Sequence, residues 1–282
     1  MTAPSDDAPQ LRPQSLMLAF FGNHVLEWEA GDRCVYSGSI IDVLGRVGVG
    51  EQAVRSTLTR MVCRGLLRRQ REGRRMYFGL TEQATRVLRD GRTRIWREGA
   101  VDDDWDGDWT LLGFSLPASR RRERHDLRSR LAWSGFGALY SGLWIAPGRV
   151  DVAAVVAELG LTAHVKIFHA CADEATDIGR MIRDTWDLET IAARYVAFDK
   201  RWSSRLNAGP SDDPTDDPIG IRLRLVGEWV RTIRADPRLP ARHLPPGWPA
   251  RPAQDTFRRV AEQTAAPAER LARDVLDTAP RR

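Results

Sequence analysis

The stretch GVGEQAVRSTLTRMVCRGLLRRQREGRRMYFGL, residues 48–80, decides the fold of this chain. After its glycine-containing start, apolar residues recur at helical spacing and predict one buried helix face formed by Val54, Leu58, Met61 and Val62. Gly65 is placed to end that helix. Two strand-like runs follow, residues 67–71 and 74–80, and Glu72-Gly73 between them predicts a tight hairpin turn.

The residues before this stretch complete a known motif. Residues 39–47 form a short amphipathic segment, and Gly48-Val49-Gly50 supplies the short glycine-containing link that a helix-turn-helix corner needs. Further upstream, residues 15–28 predict an apolar helix and residues 34–37 a short strand. The predicted order is helix, strand, helix, turn, helix and hairpin, which is a winged helix-turn-helix.

Positive charge is concentrated in the same stretch. The whole chain of 282 residues has a formal net charge of +5. Residues 51–75 hold eight arginines against Glu51 and Glu72, a net +6, so the remaining residues sum to about −1. A charge concentrated in this way is what a phosphate backbone attracts.

The polar face of the helix within residues 48–63 carries the functional prediction. Gln and Arg can make bidentate contacts with base edges, and Ser and Thr can reach bases or phosphates. We therefore predict base or nearby phosphate contacts for Gln52, Arg55, Ser56 and Thr59. Phosphate or minor-groove contacts are predicted for Arg60, Arg74 and Arg75.

Two other interpretations compete for this stretch. Gly48-x-Gly50-x-x-Ala53 matches a degenerate dinucleotide-binding fingerprint, but that fingerprint needs a preceding strand and a later acidic residue. Here an amphipathic helix precedes it and arginines follow. The second alternative is a helix and hairpin whose arginines are only solvated.

Local motifs give no support for catalysis or a bound metal. Asp102, Asp104, Asp106 and Gly107 match the front half of a calcium loop, but the twelfth position is Gly113 where a bidentate glutamate is needed. The five histidines show no metal-ligand spacing, and the cysteines at 34, 63 and 171 form no CxxC pair. We expect a non-enzymatic protein without a cofactor or metal.

The chain shows no targeting or membrane signal. It has no run of 18 apolar residues, and its N-terminus is polar and contains proline. A reducing cytoplasm is the expected location.

The remainder predicts two further domains. Residues 109–116, 120–133, 137–146, 151–159 and 164–170 follow the order β-α-ββ-α-β, which suggests a ferredoxin-like domain. Helical patterns follow at residues 178–205, 221–236 and 254–278. We expect an α+β protein with a winged helix-turn-helix domain and its trailing helix at 12–100, a ferredoxin-like domain at 105–172 and a helical C-terminal domain at 176–280.

Several of these segments together resemble the PaaX-type repressors of phenylacetate degradation. The resemblance covers nearly the whole chain and rests on residues 48–81 and on four further segments, SLMLAFFGNHV, WDGDWTLL, GFGALYSGLWIAP and RLRLVGEWVRTIRADPRLPARHLPPGWP. It implies a GntR-like winged-helix N-terminus, a ferredoxin-like middle domain and a helical C-terminus. It also implies a homodimeric transcriptional repressor that binds double-stranded operator DNA and is released by an aryl- or acyl-CoA thioester.

Such a thioester needs an apolar pocket for its acyl group and cations for its phosphates. The candidate ligand residues, in a site expected between the middle and C-terminal domains, are Trp144, Arg224, Trp229 and Arg231.

Two functions of other classes stay open at this point. One is a metal-dependent nuclease built on the ferredoxin-like domain, and the other is a protein-interaction adaptor whose winged helix binds no DNA.

Overall fold

The structure is a computed structural model that describes residues 11–26, 33–93, 95–96, 100–208, 217–234 and 236–281. The elements up to residue 93 are α1 Pro13–His24, β1 Arg33–Tyr36, α2 Ser37–Gly45, α3 Glu51–Cys63, β2 Leu67–Glu72, β3 Arg75–Leu80 and α4 Glu82–Thr93. The later elements are β4 Asp108–Phe114, α5 Arg121–Trp133, β5 Gly137–Tyr140, β6 Leu143–Pro147, α6 Ala153–Glu158, β7 Val165–Cys171, α7 Ile178–Thr185, α8 Leu188–Ala208, α9 Pro218–Arg234, α10 Ala250–Val275 and β8 Thr278–Pro280. This mixture of helices and antiparallel sheets confirms the predicted α+β class.

The chain divides into two compact units. The first, called the winged-helix unit below, consists of Met1–Glu98, Asp199–Val230 and Asp255–Arg282. The second, called the middle unit, consists of Gly99–Phe198 and Arg231–Gln254. The predicted division at 12–100, 105–172 and 176–280 stays a prediction.

The winged-helix unit contains a four-stranded sheet in the order β2-β3-β1-β8. β2 and β3 form an antiparallel hairpin, and β1 pairs with β3 through Val35 opposite Phe78. Gly79 lets these strands approach closely, because a Cβ atom there would lie 2.7 Å from the Cys34 sulfur. α1 and α3 pack beside the sheet with fully buried Phe20, Phe21 and Met61.

Strand β8 was not foreseen in the sequence. The helix predicted to reach residue 278 ends at Val275, and the chain then runs antiparallel to β1, with Cys34 opposite Ala279. Gln70 donates a hydrogen bond of 3.0 Å to the Pro280 carbonyl oxygen, and Ala279 is buried. The C-terminal segment therefore belongs to the sheet of the winged-helix unit.

The middle unit has the predicted ferredoxin-like topology. Its sheet has the order β5-β6-β4-β7 with all pairs antiparallel. Alternate residues of β4 face opposite sides: Leu112 packs with Leu127 and Leu131 of α5, whereas Trp109 packs with Ile182 of α7. Helices therefore cover both faces of this sheet.

Two local boundaries differ from the prediction. The hairpin turn is Gly73-Arg74, because Glu72 pairs with Arg75; Gly73 has φ +57°, which suits the first position of a two-residue turn. The helix predicted at 178–205 is two helices, separated where Asp187 accepts a hydrogen bond from the Thr190 amide. The predicted end of the first helix, at residue 28, lies outside the described residues.

None of the helices in the described part of the chain is both long and apolar enough to cross a membrane.

Candidate nucleic-acid interface

A tight corner joins α2 to α3. Gly48 has φ +82°, a left-handed conformation that favours glycine, and the Val49 amide donates a 3.0 Å hydrogen bond to the Leu44 carbonyl oxygen. Val49 itself is buried, so it anchors the corner to the core. A Cβ atom at Gly50 would touch nothing within 4 Å, so steric crowding does not require glycine at that position.

Helix α3 has one buried and one exposed face, as its sequence predicts. Val54, Leu58 and Met61 are buried, and Thr57 joins them in place of Val62, which is half-buried. The predicted contact residues lie together on the exposed face: Gln52, Arg55, Ser56, Thr59 and Arg60. The helix thus offers a continuous polar surface whose position is fixed by the core beneath it.

The end of α3 is also fixed. Gly65 has φ +67°, its amide donates to the Val62 carbonyl oxygen, and the Leu66 amide donates to the Met61 carbonyl oxygen. This pair of bonds is a Schellman motif, which satisfies the last helical carbonyl groups. The motif turns the chain directly into β2.

A salt bridge on the exposed face was missed in the sequence. The Arg55 Nε donates to a Glu51 carboxylate oxygen at 2.8 Å, and both side chains are about 60% exposed. Their spacing of four residues on a helix could have revealed the pair. Exposed pairs of this kind contribute little stability, so Arg55 can exchange Glu51 for another acceptor at small cost.

Several arginines lie on the β2–β3 hairpin, which is the wing of the motif. Arg69, Arg71 and Arg74 are exposed, and Arg74 lies at the tip of the turn. The Arg71 Nε donates to the Gly73 carbonyl oxygen at 3.0 Å, which ties its side chain to the turn. The wing, which follows α3 along the chain, therefore carries several cations.

Arg75 differs from the other wing arginines. It forms an ion pair with Asp277, just before β8, and its guanidinium lies 5.2 Å from the centre of the Tyr36 ring. The hydrogen bond with Tyr77 and the charge of Asp277 raise the pKa of Arg75. The predicted phosphate contact of Arg75 would therefore require it to leave or share Asp277, a partner that sequence reasoning missed.

The four predicted ligand residues do not form one site in either unit. Trp144 and Arg231 belong to the middle unit, and Arg224 and Trp229 to the winged-helix unit. Trp144 packs in the core of the ferredoxin-like sheet, and Trp229 is fully buried with its ring stacked 4.9 Å from that of Phe257. Both tryptophans therefore serve as core residues within their units.

The acidic segment before β4 makes local structural contacts. The Asp108 amide donates to the Asp106 carboxylate at 2.9 Å, and Arg251 pairs with Asp103. Asp108 accepts a 3.0 Å hydrogen bond from Arg149, which is the main cause lowering the pKa of that carboxyl. Among the residues that the structure describes, no three His, Cys, Asp or Glu side chains are grouped to hold a metal ion.

Three protein-family models match successive parts of the chain. The family model described as "PaaX-like protein" matches residues 12–84. The model "PaaX protein central Cas2-like domain" matches residues 102–182, and "PaaX-like protein C-terminal domain" matches residues 186–274. The chain belongs to the PaaX family. The resemblance drawn from the sequence motifs is thereby confirmed.

Two individual proteins are similar to most of this chain. The chain is 28% identical to the transcriptional repressor PaaX of Escherichia coli K12 over 264 residues, which cover 89% of this chain and 81% of that repressor. The uncharacterized protein Rv0674 from Mycobacterium tuberculosis has a similar structure, with a TM-score of 0.61, 23% identity, and coverage of 94% of this chain and 100% of that one. The second likeness concerns the fold alone.

Proposed function

We propose that this PaaX-family chain is a DNA-binding transcriptional repressor rather than an enzyme. The observation that carries the proposal is the exposed polar face of α3, held in place by the buried face beneath it and followed by an arginine-bearing wing. Its relation to the transcriptional repressor PaaX supports the same role.

In this proposal α3 enters the major groove of double-stranded operator DNA. Gln52, Arg55, Ser56 and Thr59 lie on the face that meets base edges or adjacent phosphates. Arg60 and Arg74 bind phosphates, and Arg75 joins them by sharing or exchanging Asp277. Glu51 holds Arg55 in the free protein and releases it to a guanine or phosphate on binding.

We further propose that the chain acts as a homodimer on an inverted repeat. A dimeric winged helix-turn-helix protein binds half-sites about one helical turn apart, or a multiple of it. A protein–operator complex whose measured mass equals two chains and one DNA duplex would support the homodimer. A single chain on one asymmetric site would contradict the dimer while leaving DNA binding in place.

Relief of repression by an acyl-CoA thioester completes the proposal. The ligand must bind the form that does not bind DNA more tightly, typically by about 1–3 kcal/mol. Operator DNA must then weaken thioester binding by the same factor. Equal affinity with and without operator would remove the thioester as effector without affecting the DNA-binding proposal.

The central test starts by sequencing the genomic fragments that the purified chain retains. The best fragment is then compared with a scrambled duplex in mobility-shift assays at several salt concentrations. Gln52→Ala should lose preference for the operator, whereas Gln83→Ala, an exposed glutamine on α4, should keep it. If no fragment is enriched, or if both variants behave alike, the proposed interface is wrong.

A further inference from the structure

The winged-helix unit contains a half-open cavity, and none of its lining residues belongs to α3. Its volume is about 690 Å³, within the range of small-molecule sites. The last residues of α1, the start of β1, α9, the second half of α10 and β8 form its walls. The first and last thirds of the sequence therefore meet around one space.

Two of the lining residues, Asn23 and His24, each contain a buried polar atom without a hydrogen bond to any described residue. His24 is only 5% exposed, and its Nε2 atom has no hydrogen-bonding partner within the described part of the chain. The buried Nδ2 of the neighbouring Asn23 is in the same condition. A buried polar group without a hydrogen bond is energetically unfavourable. Burial, and secondarily the charge of Arg222, lowers the pKa of His24 to about 4, so the ring is neutral near pH 7.

Cations predominate among the charged groups of the wall. Arg33, Arg222 and Arg273 face one carboxylate, that of Glu269. Arg273 pairs with Glu269 one turn away, and Arg222 donates to the Ala261 carbonyl oxygen at 2.7 Å. These contacts hold the guanidinium groups in place and leave an excess of positive charge. Small apolar residues, including Ala265 and Ala272, complete the wall.

We propose that this cavity binds an organic anion with an apolar body. The arginines attract its carboxylate or phosphate group. The alanines and Leu276 contact its apolar part. None of the four ligand residues predicted from the sequence lines this cavity, so it is a different site from the predicted one.

The cavity adjoins the route to the wing. Thr278 of β8 lines the wall and accepts a 3.4 Å hydrogen bond from Arg33. The preceding residue, Asp277, holds Arg75 of the wing. A ligand that shifts β8 therefore alters the wing, and this regulatory step rests on the proposed DNA-binding function.

The first test fills the cavity without removing a polar group. Ala265→Phe places a ring at the wall, whereas Ala266→Phe adds the same ring at the next exposed position of α10, outside the wall. Calorimetry with the full chain would use phenylacetate, octanoate, their CoA thioesters and free CoA as probes. Comparison of acids, thioesters and CoA shows which part of the anion is recognised.

At least one probe should bind the wild-type chain and Ala266→Phe alike, and at least 10-fold more weakly to Ala265→Phe. The charge is tested by Arg273→Gln, with Arg270→Gln on the same helix, outside the wall, as its control. Only Arg273→Gln should weaken the same probe, by several-fold. If no probe binds the wild type, or each variant matches its control, the cavity is not an anion site.

The binding test needs no DNA, so it separates this proposal from the proposed function. If Ala265→Phe loses the probe yet binds operator as the wild type does, the site and the DNA interface are both supported. If the probe binds as expected while the wild type retains no DNA fragment, the site stands and the repressor proposal fails.

Discussion

The two sheets of the molecule have the same number of strands, but the strands of one lie close together in the sequence and those of the other do not. In the middle unit, β4 to β7 come from one continuous segment between Asp108 and Cys171. In the winged-helix unit, β1 to β3 lie within the first 80 residues, and the fourth strand, β8, comes from the end of the chain. The first sheet is a local product of its sequence, whereas the second needs a strand more than 200 residues away.

The largest expected effect comes from breaking the distant strand. Ala279→Asp would put a carboxylate at a buried position of β8, and burying an uncompensated charge should lower the free energy of unfolding of the winged-helix unit by about 4 kcal/mol. Ala138→Asp places the same group at an exposed position of β5 and should change stability by less than about 0.5 kcal/mol. Denaturant titration measures both. Equal losses would mean that β8 is dispensable to its sheet.

The second prediction concerns acid stability of the winged-helix unit. The pKa of His24 is about 4 in the folded chain and 6.5 in the unfolded chain, so only the unfolded state takes up the proton between these values. The free energy of unfolding should therefore fall as the pH drops from 6.5 to 4, by about 3 kcal/mol from this group.

A non-titrating variant isolates that contribution. His24→Gln should flatten the dependence of unfolding free energy on pH in this window, whereas His125→Gln, an exposed histidine of α5, should retain the wild-type slope. If His24→Gln leaves the slope unchanged, His24 is not protected from protonation as described.

The third prediction compares two arginine-bearing helices, one from each unit. Arg55→Ala on α3 should cost about 2 kcal/mol in operator affinity and relax one base position, because it removes the proposed bidentate contact. Arg121→Ala removes an exposed arginine at the start of α5 and should cost much less. Competition binding with a randomised operator library measures both. A similar loss for Arg121→Ala would show that α5 also contacts DNA.

The smallest effect is expected at the tip of the wing. Arg74→Ala should weaken binding by about 1 kcal/mol to operator and random DNA alike, because a phosphate contact carries no sequence information. The slope of log affinity against log salt should become shallower by about 1. Altered base preference in this variant would contradict the assignment of the wing to the phosphate backbone.

The sequence was sufficient wherever structure depends on near neighbours. The period of α3 predicted which face carries Gln52 and Arg55, and Gly65 predicted where the helix ends. The salt bridge of Glu51 with Arg55 follows the four-residue rule and could have been predicted. Asp187 is similarly a recognisable N-cap that divides α7 from α8.

The remaining features depend on tertiary structure. β8 has three residues, too few for any alternation to show, and it contains Pro280, which is disfavoured in most strands. Its partner, β1, is far away in the sequence. The cavity likewise brings together His24 and Arg273, which no local pattern connects. For the same reason, the partner of Arg75 could not be found from residues near the wing.

The late position of β8 has a consequence during synthesis. A ribosome that adds about 5–20 residues per second takes about 10–40 s to proceed from β3 to β8. During that interval the growing chain exposes one edge of β1, whose unpaired backbone groups can pair with another nascent chain. Residues 278–280 close that edge, so a chain released before they are synthesised has a winged helix with an open sheet edge.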